Sequence, residues 1–79
     1  SFTANKGSAI EIIQKKLAIS KDETMVFGDF LNDLEMMETA EFSFAMKNAH
    51  KDIIEISNYT TDFDNNTNGV TQTIEKYLL

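Results

Sequence analysis

Apolar positions along the chain switch between two spacings, and the switching predicts alternating helices and strands. Ile10, Ile13 and Leu17 recur at helical spacing and predict a helix from about Lys6 to Ala18. Thr24-Met25-Val26-Phe27 is a short apolar run closed by Gly28, which predicts a strand buried on both faces. Asn32-Asp33-Leu34-Glu35 then reads as a helix start. There Asn32 is the N-cap, Glu35 completes a capping box, and Leu34, Met36 and Met37 are mostly buried. Phe42-Ser43-Phe44-Ala45-Met46 predicts the next strand, and Asn48 is placed to cap a helix containing Ile53, Ile54 and Ile56. Asn58-Tyr59-Thr60-Thr61 predicts a third strand, polar for a central position. Asp62 to Asn68 is rich in turn residues, and Gly69 precedes a last helix with Val70, Ile74 and Leu78 on one side.

Strands alternating with helices imply parallel βαβ units with right-handed crossovers, hence an α/β fold. In such sheets ligands gather beyond the C-terminal ends of the strands. A parallel sheet this thin leaves edges exposed, so more of the sheet is expected outside these residues.

Composition narrows the function classes. A chain of 79 residues is one small domain or part of one, and with no cysteine it has neither disulfides nor a thiolate zinc site. The formal net charge is −6, with 13 acidic against 7 basic residues, a surface that repels nucleic acid and anionic lipid and favours a cation. No apolar run reaches transmembrane length and no signal-peptide core opens the sequence, so the expected location is the cytoplasm.

The chemistry concentrates in Gly28-Asp29-Phe30-Leu31-Asn32-Asp33. Asp29 falls where the first strand ends, at the ligand-bearing edge, and Gly28 leaves that edge clear of a side chain. Asn32 and Asp33 stand just beyond. Carboxylates this close repel unless a cation lies between them, and hard oxygen ligands suit Mg²⁺. Lys6, opening the first helix, points toward the same edge. Each residue also has a plain explanation: a loop carboxylate, a helix cap, a solvated lysine.

Taken together, the segments resemble a known family. Asn5-Lys6-Gly7-Ser8-Ala9-Ile10 and the run from Val26 to Met37 resemble the third and fourth motifs of the haloacid dehalogenase superfamily. Ala45-Met46-Lys47-Asn48-Ala49 and Asn65-Asn66-Thr67-Asn68-Gly69-Val70 are similar to segments of its Cof-type sugar-phosphatase branch. The related motif of P-type ATPases has glycine where Phe30 stands and alanine-leucine where Met36-Met37 stand, which favours the phosphatase branch.

The resemblance implies a three-layer Rossmann-like fold, with residues 1–79 as a C-terminal portion of the core domain. It also implies transfer of a phosphoryl group from a small phosphorylated metabolite to water through an aspartyl-phosphate, with Mg²⁺ as cofactor. In that frame Asp29 is the direct metal ligand, and Asp33 holds a metal-bound water or pairs with the lysine. Asn32 orders phosphate or the metal shell, and Lys6 neutralises the phosphate and the nucleophile during transfer. Asn48 matches a family asparagine near the pocket, which helix capping explains equally well. The nucleophile strand and the substrate-choosing cap domain are expected upstream of this stretch.

Two other features bear on chemistry. Asp62-Phe63-Asp64 has the look of an Asp-x-Asp nucleophile motif but lacks the apolar strand that would aim it. Asp64-x-Asn66-x-Asn68-Gly69 with Glu75 satisfies an EF-hand Ca²⁺ pattern, although the β-prone segment before it is not an entering helix. A further alternative is a non-catalytic piece that completes a fold with another chain. His50 reads as a surface residue, and the methionines read as core fillers.

Overall fold

The computed structural model describes residues 6–64 and 68–78. In chain order the elements are α1 (Lys6–Leu17), β1 (Met25–Gly28), α2 (Leu34–Met37), β2 (Phe42–Ala45), α3 (Lys51–Ile56), β3 (Tyr59–Thr60) and α4 (Gly69–Leu78). Short 3₁₀ turns at Lys21–Glu23 and Leu31–Asp33 precede β1 and α2. The strands form one 3-stranded parallel sheet in the order β1-β2-β3, with Gly28 opposite Ala45 and Phe44 opposite Tyr59. The fold is α/β, as the alternation predicts.

Because side chains alternate across a strand, the sheet has two unlike faces. One carries Val26, Ser43 and Ala45 and packs on the first three helices. Its core joins Val26 and Ala45 to Met36, Met37, Ala40 and Ile53, with Ile10, Leu34 and Ala49 at the margin. The other face is aromatic. Phe44, fully buried, stacks on Phe27 at 5.3 Å and on Tyr59 at 5.1 Å between ring centroids, and Tyr77 of α4 leans on it at 5.2 Å. Such ring pairs add specificity of geometry to the area they bury.

The third strand is short because side chains take over part of its ladder. Asn58 N–H donates to the Ser43 hydroxyl, Asn58 Nδ2 donates to the Glu41 carbonyl, and Thr61 N–H donates to the Ala45 carbonyl at 2.8 Å. Among the described residues no buried side-chain nitrogen or oxygen is left without a partner.

Three local expectations change. The helix after β1 does not start at Asn32: Leu31–Asp33 is a 3₁₀ turn, α2 is only Leu34–Met37, and Asn32 lies exposed inside the turn. Asp33 Oδ2 reaches back to the N–H groups of Asp29 and Phe30, which folds the chain into the turn, and it makes no cap hydrogen bond to α2. Helix α3 is capped by His50 rather than Asn48: the His50 Nδ1 accepts the Asp52 N–H at 3.1 Å. Finally, α4 turns Gly69 and Thr73 inward, while Val70 is 40% and Leu78 64% exposed. Thr73 donates its hydroxyl to the Gly69 carbonyl within the helix, which leaves a small apolar surface against the aromatic face.

Candidate active site

The C-terminal ends of β1 and β2 open on a cavity of about 390 Å³. Its lining includes Lys6, Gly28, Asp29 and Asp33. These come from separate elements: the first turn of α1, the end of β1, and the 3₁₀ turn after it. Parallel sheets place such an opening at this edge because the strand ends are followed by loops free to carry chemistry.

Asp33 is the centre of the arrangement. Lys6 Nζ donates to Asp33 Oδ1 at 2.7 Å across 27 residues of sequence. Asp33 Oδ2 accepts the N–H of Asp29 at 3.0 Å and that of Phe30 at 3.4 Å. The Asp33 side chain is 5% exposed against 56% for Lys6, so a buried carboxylate faces a half-open ammonium. Burial pushes the Asp33 carboxyl upward, but Lys6 and the two backbone N–H groups outweigh it and hold the group below the usual carboxylate range. The Lys6 ammonium is held above its ordinary value by its hydrogen bond to Asp33, with the Asp33 and Asp29 charges adding to it. The cation expected between the carboxylates is therefore in part this lysine.

Gly28 is required by close approach, not by an unusual turn, since no described glycine has a positive φ. A Cβ there would stand 2.6 Å from Met37 Sδ and 3.0 Å from Asp33 Cβ. The missing side chain is what lets Asp33 tuck beneath the strand end. A second set of hydrogen bonds fixes the loop from the other side: Met46 N–H donates to the Gly28 carbonyl at 2.9 Å and His50 N–H to the Asp29 carbonyl at 2.8 Å.

The structure thus brings Lys6, Asp29 and Asp33 to one cavity and leaves Asn32 and Asn48, both exposed, outside its lining. It adds residues that the sequence reading did not place at this opening: Phe27, Met46, and the segment Asn68, Gly69, Val70 and Thr71 at the start of α4. Gly69 was the available signal. A Cβ on it would lie 2.6 Å from both the Asp64 carbonyl oxygen and Met46 Cε, so only glycine lets α4 begin there. Among the described residues no group of three or more His, Cys, Asp or Glu side chains stands ready to hold a metal. Asp29 and Asp33 at one opening do fit Mg²⁺, which is commonly held by one or two carboxylates and keeps several waters.

Of the rival features, the Asp-Phe-Asp segment has its first carboxylate outside this cavity, and the EF-hand pattern, whose Asn68 and Gly69 line it, fails on its backbone. Asp62 is exposed and pairs with Lys76, which holds its carboxyl below the usual range. It does not face the opening. For the EF-hand pattern, Asn66 lies outside the described residues, but its flanks are decisive. Strand β3, not a helix, leads toward Asp64, and Gly69 already begins α4, whereas a Ca²⁺ loop needs irregular backbone through its later ligand positions.

Comparisons with known proteins bear on the family and the fold. The family described as haloacid dehalogenase-like hydrolase matches residues 2–74. The phosphoglycolate phosphatase of Methanothermobacter thermautotrophicus is 33% identical over 96% of this chain and 34% of its own length. A 5-amino-6-(5-phospho-D-ribitylamino)uracil phosphatase of Escherichia coli is 39% identical over 94% of this chain and 27% of its own. A solved haloacid dehalogenase-like hydrolase of Bacillus subtilis superposes with a TM-score of 0.84 at 41% identity, covering 96% of this chain and 26% of that one. The chain therefore spans roughly a quarter to a third of the relatives it matches. No described helix is long and apolar enough to cross a membrane. By sequence and by fold, the chain belongs to the haloacid dehalogenase-like hydrolase family.

Proposed function

We propose that this chain supplies the metal- and phosphate-facing part of a Mg²⁺-dependent phosphohydrolase of the Cof type. Its substrate is a sugar phosphate or a related small phosphomonoester. The observation that carries the reading is the Lys6–Asp33 contact at 2.7 Å, which joins two distant sequence motifs at the cavity holding Asp29. The named substrates of the relatives, small phosphorylated metabolites, support the substrate class.

In this reading the nucleophilic aspartate and the cap domain belong to the longer protein, which works in the cytoplasm. Bound Mg²⁺ would polarise the phosphoryl oxygens as a Lewis acid. Asp29 would hold it directly, and Asp33 would orient a water of its shell. Lys6 places a fixed positive charge where negative charge accumulates on the transferring group. Asp33 keeps that ammonium protonated and aimed, while its two backbone hydrogen bonds keep the loop rigid enough for the aim to hold. Asn32 and Asn48, which lie outside the cavity lining, are given no contact with the metal or the phosphate in this reading.

The test is hydrolysis of p-nitrophenyl phosphate and a panel of sugar phosphates by the longer protein in Mg²⁺ buffer. Lys6→Ala is expected to lower kcat about 10²–10³-fold, typical of losing one preorganised charged group. Asp29→Asn is expected to weaken metal binding and depress turnover at least as far. The 79-residue chain alone is expected to show no turnover. Unchanged turnover in Asp29→Asn, or robust hydrolysis by the chain alone, overturns the reading.

A further inference from the structure

We propose that Gln14 is a positioning residue, whose side-chain amide holds α1 in register against the sheet and so fixes Lys6 on Asp33. Gln14 Nε2 donates to the Thr24 hydroxyl at 2.9 Å and to the Thr39 carbonyl at 2.8 Å. Both amide protons are used, one toward the start of β1 and one toward the loop after α2. Thr39 is itself buried, so its carbonyl has no water to fall back on.

The amide sits on the face of α1 that meets the described core. Its inward face, at helical spacing, is Gly7, Ile10 and Gln14. Gly7 is the helix's buried residue, and a Cβ on it would come within 2.9 Å of the Glu35 backbone. It sets how closely α1 approaches α2 but contributes no side chain. Ile10 is partly buried against the core. The remaining large apolar residues point away: Ile12 is 51%, Ile13 53% and Leu17 64% exposed. An amphipathic helix is normally held by its apolar stripe, which resists both sliding and rotation. Two directional hydrogen bonds of one side chain add resistance to sliding along the sheet.

Lys6 lies eight residues before Gln14, about 12 Å along the helix axis. A helix transmits a displacement at one end to the other almost undiminished. Any slip at Gln14 therefore arrives at the ammonium, whose reach to Asp33 is a single 2.7 Å contact. The catalytic consequence rests on the phosphohydrolase reading, where a misplacement of about 1 Å costs up to about 10²-fold. The positional claim does not depend on it.

The experiment uses the longer protein that carries this chain. Gln14→Met keeps length and helix propensity and removes both donors. Gln14→Lys restores a long side chain with N–H donors. Ile53→Val loosens the core under β2 without touching α1 and serves as a control for general destabilisation. Acetylation of individual lysines is followed by mass spectrometry, with the exposed Lys15 and Lys16 as internal standards. In Gln14→Met the relative labelling of Lys6 is expected to rise several-fold and kcat to fall about tenfold or more with KM little changed. Gln14→Lys is expected to restore most of both, and Ile53→Val to alter neither. Unchanged Lys6 labelling in Gln14→Met, or an equal rise in Ile53→Val, overturns the proposal. Raised labelling with unchanged kcat, in a protein where Lys6→Ala is inactive, overturns its catalytic half. If Lys6→Ala itself retains full activity, the phosphohydrolase reading fails and the labelling still decides the positional claim.

Discussion

Two lysine–aspartate pairs among the described residues are made of the same groups in different settings. Lys6–Asp33 joins a buried carboxylate to a half-open ammonium, and two backbone N–H groups share the load. Lys76–Asp62 lies on the surface, with 53% and 63% of the two side chains exposed. In both pairs the aspartate is held below and the lysine above its ordinary value. Only the first is tied to the geometry of a cavity. A charge pair becomes structural when its partners have lost water and have no alternative, and exposed pairs keep that alternative. Position at the strand end, not composition, makes the difference.

The largest effect should come from Asp33→Ala. It strands the Asp29 and Phe30 N–H groups beneath the strand end, while Lys6 escapes to solvent. Loss of about 3 kcal/mol of unfolding free energy is expected, most of it from the orphaned donors rather than the ion pair. Urea denaturation of the longer protein, with the loop's hydrogen exchange followed in parallel, measures it. A loss no larger than that of a typical surface substitution would dissolve the contrast between the pairs.

Next comes Gly69→Ala, which tests the other wall of the cavity. The added methyl would meet the Asp64 carbonyl, a backbone atom that cannot swing aside. A cost of about 2 kcal/mol is expected, as for other overpacked sites, and the start of α4 should move away from Asp29. Gly28→Ala should cost less, because its nearest neighbour is the flexible end of Met37.

These glycines mark the boundary of what could be read from sequence. Strands at Met25–Gly28 and Phe42–Ala45 were legible because apolar runs flanked by turn residues have few other uses, and Tyr59–Thr60 because its residue types favour strands despite their polarity. The meeting of Lys6, Asp29 and Asp33 was legible too, since a parallel sheet sends strand ends to one edge. Capping was not. Asn32 and Asn48 have the right chemistry, but Asp33 reaches back to the N–H groups before the turn and His50 accepts the Asp52 N–H of α3, which residue type alone does not reveal. The inward face of α4 was hidden for a related reason. Counting apolar residues selects Val70, Ile74 and Leu78, yet a threonine bonded to its own helix packs like a small apolar residue, and Thr73 took the place. The cavity lining from α4 depends on contacts across the sheet that no local window contains.

Acid should separate the pairs by a smaller margin. The Asp33 carboxyl is lowered from 3.8 in the folded protein, so its contribution is complete above that value and disappears as pH falls through the folded value. Lys6 works in the opposite sense: raised from 10.5, it contributes fully below that value and is lost as pH rises through its folded value. The stability gap between the parent and Asp33→Ala should therefore be constant from about pH 5 to 9 and narrow below the ordinary carboxylate range. Denaturation midpoints at pH 7, 4, 3 and 2 test it, and a gap that widens on acidification would reverse the assigned sign.

The smallest effect belongs to Asp62→Asn. Both partners of this pair are exposed, so water competes for each charge, and fixing two mobile side chains offsets much of their attraction. The unfolding midpoint should stay within measurement error at physiological salt. The substitution also bears on chemistry, because Asp62 begins the Asp-Phe-Asp segment that resembles a nucleophile motif. With its carboxylate turned to Lys76 and outside the cavity lining, Asp62 is in no position to attack a phosphoryl group beside Asp29. Turnover of the longer protein should match the parent in Asp62→Asn and collapse in Asp29→Asn, measured side by side with the same phosphomonoester. Equal losses in both would place chemistry at the surface pair and erase the distinction, since an exposed ion pair with no cavity would then be performing the work assigned to the strand end.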